Sequence, residues 1–141
     1  MKITSLIARL LLGLIFLVFG LNGFLNFLPM PAPTGLAGQF FGALFASHYL
    51  IVILLVQIIG AVLLLINQYV PLALTLLGPV LVNILCFHVF MAPSGLPLAL
   101  VVTLLWAVVF SRNRAAFAGL FVRRPNEQVQ ARNHQLEGAT R

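Results

Sequence analysis

Apolar residues run in long blocks along this chain, and the polar positions fall between the blocks rather than alternating with them. From Leu10 to Ser111 there is no Asp, Glu, Lys or Arg. A helix that is apolar on every face cannot be solvated by water, so such blocks predict membrane spans. The first predicts a span over residues 3–27. Residues 28–35 end it, because Pro29, Pro31 and Pro33 cannot propagate a helix. The block at 36–47 is too short to cross a bilayer and predicts an interfacial or re-entrant helix. Its Gly38, Gly42 and Ala46 form a small-residue stripe suited to close helix packing. Span two is expected over 49–66. A tight turn at 67–71 follows, with Pro71 at the first position of the next helix. Span three covers 71–91 and should bend at Gly78-Pro79. Residues 92–96 form a turn, and span four covers 97–110.

Short turns force successive spans to be antiparallel. The fold expected is therefore all-α: an integral membrane four-helix bundle with a short interfacial or re-entrant helix between spans one and two. Strands of an outer-membrane barrel are excluded, since those alternate apolar and polar residues. Residues 1–122 make up the bundle and an amphipathic segment at 113–122, which places Phe117, Leu120 and Phe121 on one side. Residues 123–141 are polar and basic and are expected to be disordered.

Composition agrees with this picture: 62% of residues are hydrophobic and only 7% charged, well below the globular norm of about 25%. The net charge of +6 is confined to the ends. Lys2 and Arg9 precede the apolar region; Arg112, Arg114, Arg123 and Arg124 follow it and act as topology and lipid anchors. This is the positive-inside pattern, and it predicts a multi-pass membrane protein with both termini cytoplasmic. It is not a nucleic-acid footprint, because no basic face with interleaved aromatics exists. The N-terminal block lacks a small-x-small cleavage site and reads as an uncleaved first span. Cys86 is the only cysteine, so no internal disulfide can form.

Candidate chemistry is sparse. No carboxylate lies in the apolar region, and no motif for a phosphate loop, a zinc site or a Ser-His-Asp set is present. No catalytic residue and no metal site are expected, and the chain is not expected to be catalytic alone. The polar residues left inside the spans become the ligand-binding candidates: Asn22, Asn26, Gln57, Asn83 and His88, with His48 second. Asn22 and Asn26 share a face near the end of span one. Asn83 lies roughly 7.5 Å deeper than His88. Gln57 falls near the bilayer midplane, where an unpaired amide is costly. The bland alternative is that these amides only bridge helices, at roughly 0.6 kcal/mol a pair. His88 can exchange a proton near neutral pH. His48 sits at the water boundary. Heme is not expected, since nothing aims both rings at one centre and no attachment motif exists. Phe24, Phe27, Phe40, Phe41, Phe45, Phe87 and Phe90 either pack the interface or line a pocket for a flat apolar ring.

Several segments resemble one family. Gly20-Leu-Asn-Gly-Phe-Leu-Asn-Phe27 with Pro29-Met-Pro31, then Ile59-Gly-Ala-Val-Leu-Leu-Leu65, Val70-Pro-Leu-Ala-Leu74 and Val82-Asn-Ile-Leu-Cys-Phe-His-Val-Phe-Met-Ala-Pro-Ser-Gly-Leu-Pro97 are similar to the DoxX-like small bacterial membrane proteins. The resemblance implies a four-span bundle and an association with membrane oxidoreductase complexes, since the family name comes from a subunit of a thiosulfate:quinone oxidoreductase. Quinone is the cofactor it implies. Many members carry a Glu in span two, and this chain has Gln57 at that place. The function expected is a non-catalytic accessory or small subunit of a quinone-linked membrane complex. A stand-alone binder or carrier of a small apolar molecule and a purely structural packing subunit remain open beside it. The expected partners are the lipid bilayer and other membrane subunits or further copies of the chain, and no nucleic acid.

Overall fold

A computed structural model describes residues 2–121, together with Gln135 and Gly138. Arg123, Arg124 and, apart from Gln135 and Gly138, the expected disordered tail lie outside the described residues. Every regular element among the described residues is helical. Helix α1 spans Lys2–Leu25, α2 Gly35–Ala46, α3 Tyr49–Leu65, α4 Val70–Phe90 and α5 Leu96–Asn113. A one-turn 3-10 helix at Pro93–Gly95 joins α4 to α5, and a second 3-10 helix, Arg114–Phe121, follows α5. Helices α1, α4 and the stretch Pro93–Leu120 are long and apolar enough to cross a membrane. Helices α2 and α3 meet at 88° and supply a fourth crossing if the bent pair is counted as one.

Four helices close into a ring in which α1 packs on α3, α3 on α4, α4 on α5 and α5 on α1. The core is a column of large side chains with Leu12, Phe16, Leu64, Leu74, Leu77 and Val109 fully enclosed. In α1 the buried positions Ala8, Leu12 and Phe16 recur every four residues, so one stripe of a helix that is apolar all round turns inward.

Glycines set the closest seam. A Cβ on Gly20 would lie 2.8 Å from Ile58 Cγ1, and Gly13 and Gly23 similarly abut Leu65 and Leu54. Rising numbers on α1 meet falling numbers on α3, so the two run antiparallel. Without a hydrophobic driving force between helices in lipid, such close backbone approach is what yields packing energy. By contrast, Gly42 of the predicted α2 stripe has nothing within 4 Å of where a Cβ would stand, and Gly38 sits against the Pro33 carbonyl of its own loop.

Helix α4 continues through Gly78-Pro79 as one element. Trp106 of α5 packs there, its indole N–H donating to the Leu74 carbonyl at 3.2 Å. Its ring stacks on Phe110 at 5.0 Å between centroids, and Phe110 in turn meets Phe117 at 4.8 Å. This row explains a departure from the expected amphipathic segment: Phe117 is 7% exposed and folds into the bundle, whereas Leu120 is 73% exposed.

Candidate functional site

Six residues were singled out by sequence; the fold gathers five of them in three places and leaves His48 apart from all three. Gln57 lies eight residues from either end of α3, in the α1/α3 seam. Only 6% of it is exposed, and its Nε2 donates to the Phe16 carbonyl at 2.9 Å. Gly20 makes that reach available: a Cβ there would stand 3.4 Å from the same Nε2. Asn22 lies near the C-terminal end of α1 and is 5% exposed. Its Oδ1 accepts the Leu28 backbone N–H at 2.6 Å, tying the proline-rich loop to the helix end. Asn26 is exposed and adopts a left-handed φ of 49°, with its N–H returned to the Asn22 carbonyl at 2.9 Å. It ends the helix, a role Asn fills because its short side chain tolerates that conformation.

The second place is the far end of α4. His88 Nδ1 lies 2.9 Å from the Ala92 carbonyl. A carbonyl only accepts, so Nδ1 is the donor in this hydrogen bond. The 3-10 turn presses on this imidazole: any Cβ at Gly95 would collide with the His88 ring. Phe87 packs edge-on to His88 at 5.2 Å, and Phe40 and Phe41 of α2 pack on Phe87 at 5.8 Å and 5.2 Å. His88 therefore closes its own helix and seats the turn into α5. His48 stands apart, exposed at the α2–α3 elbow, where it takes a left-handed φ of 58°.

The third place is the outer face of α4. Asn83 is exposed, with Val82 and Cys86 beside it, and has no side-chain hydrogen bond among the described residues. It is the one candidate amide that an apolar helix turns away from the bundle. No hydrogen bond joins the Asn22/Gln57 pair to His88 or Asn83.

Sequence reasoning treated Arg9 only as an anchor, and the fold gives it a second task. Its Nη1 donates to the Leu64 carbonyl and, at 3.4 Å, to that of Leu65. Carbonyls in the last turn of a helix lack intrahelical partners, so the guanidinium from α1 caps α3. The signal was Arg9 lying inside the first span rather than before it. Arg112 belongs to the same end of the bundle, in the last turn of α5.

Ring closure, all-round apolar helices and arginines gathered at one end define an all-α integral membrane bundle. No family model matches the sequence, and no curated protein or solved structure matches it.

Proposed function

We propose that this chain is a non-catalytic packing subunit of a membrane assembly, and that it docks a second membrane helix on the Asn83 face of α4. The observation that carries the reading is Asn83 itself. It lies seven residues from the C-terminal end of α4, roughly 10 Å along the helix, and is exposed on an otherwise apolar face. An amide left without a partner in hydrocarbon is costly, and helices in lipid associate through such groups. The partner this chemistry calls for is a helix offering its own donor and acceptor to Asn83.

Asn22, Gln57 and His88 then serve the subunit's own architecture, each bonded to a backbone group. The resemblance to DoxX-like proteins makes a quinone-linked redox assembly of the bacterial inner membrane the first setting to test. On this reading the electron-carrying group belongs to the partner, and the arginine end faces the cytoplasm.

Cys86 supplies the test. It is exposed and three residues from Asn83, hence on the same face. Oxidative cross-linking through Cys86 in native membranes should trap a partner, whose mass separates another subunit from a second copy of the chain. Asn83→Leu should abolish the cross-link. A chain that stays monomeric in mild detergent, with no Cys86 adduct and no change on Asn83→Leu, sinks the reading.

A further inference from the structure

The arginine end of the bundle holds a feature that the docking face of α4 does not use. A hollow of about 260 Å³ opens there, lined by Ser5, Arg9, Asn67, Val70, Arg112 and Asn113. It forms where α1 and α4 begin and α3 and α5 end. The partial positive charges of the two helix starts are offset by the partial negative charges of the two helix ends, so the two guanidiniums set the sign of the basin. Arg9 is already fixed by its bond to the end of α3 through Nη1. A guanidinium has five N–H donors, so its Nε and Nη2 groups remain for a ligand. The only acids in the chain are Glu127 and Glu137, and neither guanidinium has an acidic partner among the described residues.

A second hollow of about 190 Å³ adjoins the first, sharing Ser5 and Arg112 with it and adding Thr4 and Val108. Its walls are mostly apolar, and it follows the groove between α1 and α5. A cationic basin continuous with an apolar groove matches a molecule that is anionic at one end and hydrocarbon at the other. Basic pockets between membrane helices bind phospholipid headgroups in this way. Free phosphate would fill the basin and leave the groove empty.

We propose that this composite hollow is a binding site for one anionic phospholipid, its phosphodiester held between Arg9 and Arg112 and an acyl chain laid along Thr4 and Val108. Arg114 is two residues beyond Arg112, exposed, and not part of the lining.

The purified full-length chain in neutral detergent is titrated with phosphatidylglycerol, with phosphatidylcholine of the same chains and with inorganic phosphate. Binding is read by native mass spectrometry and thermal shift. Phosphatidylglycerol is expected to bind one per chain and raise the melting temperature, while the other two leave it unchanged. Arg112→Gln should weaken phosphatidylglycerol about fivefold, the worth of one arginine at an anionic surface. Thr4→Trp should weaken it by blocking the groove. Arg114→Gln should have no effect. Both arginines and Thr4 at these three positions are exposed, so the variants fold. Equal binding of the two lipids, an Arg114→Gln loss as large as that of Arg112→Gln, or phosphate binding as tight as that of phosphatidylglycerol overturns the site. Tighter binding after Glu127→Gln would show the chain's own tail in the basin and would also overturn it.

Discussion

The α1/α3 seam and the outer face of α4 are built from the same apolar vocabulary, yet they treat polar side chains in opposite ways. In the seam Gln57 is buried and spends its hydrogen bond on a backbone carbonyl, with glycines drawing the helices together. On α4, Asn83 faces out and its amide has no hydrogen bond among the described residues. Depth and residue type are similar; only the direction differs. The azimuth of a polar residue in a membrane helix therefore decides whether it can bond within the bundle, as in the seam, or only outside it, as the docking proposed for the α4 face requires.

Substitutions can break that division. The largest effect is expected from Gly20→Leu, which drives a bulky side chain into Ile58 and Gln57. Overpacking of this kind costs about 3 kcal/mol, readable as a lower midpoint of unfolding in denaturing micelles. Arg9→Gln comes next, at about 2 kcal/mol, because a charged donor to the α3 carbonyls is lost. The same measurement should show it. Gln57→Leu is smaller, about 0.6 kcal/mol, since the Phe16 carbonyl keeps its place in the α1 ladder. Asn83→Leu should move monomer stability by less than about 0.5 kcal/mol while eliminating the Cys86 cross-link. If Asn83→Leu instead unfolds the monomer as Gly20→Leu does, the two regions are not distinct.

Much of the architecture was legible in the hydropathy blocks. Each predicted span, the short helix at 36–47 and the Pro71 start correspond to observed elements with ends shifted by a few residues. Facing was not legible, and the reason is physical. In a water-soluble helix, polar residues mark the outside; in lipid the surroundings are as apolar as the core, so the pattern carries no direction. Asn83 and Gln57 look alike on paper for that reason. Nor did spacing show which small residues pack within the chain: the four-residue spacing in α2 leaves Gly42 without a neighbour in the chain, whereas Gly13, Gly20 and Gly23, less regular in sequence, form the close contact. Gly95 could not be linked to His88 by spacing, because the turn at Pro93–Gly95 brings them together.

The elbow at His48 has a consequence for the surrounding bilayer. Helix α3 has 17 residues, which gives a rise of roughly 25 Å, against a hydrocarbon thickness of roughly 30 Å. Helix α2 departs at 88° and cannot extend it across the remainder. A span that short is met by a thinner bilayer, by flanking residues that reach outward or by a neighbouring chain, whereas the 24-residue α1 makes no such demand. The two sides of the bundle thus set unequal terms for their surroundings, and the α2–α3 side is the one that favours shorter-chain lipids or neighbours adapted to them.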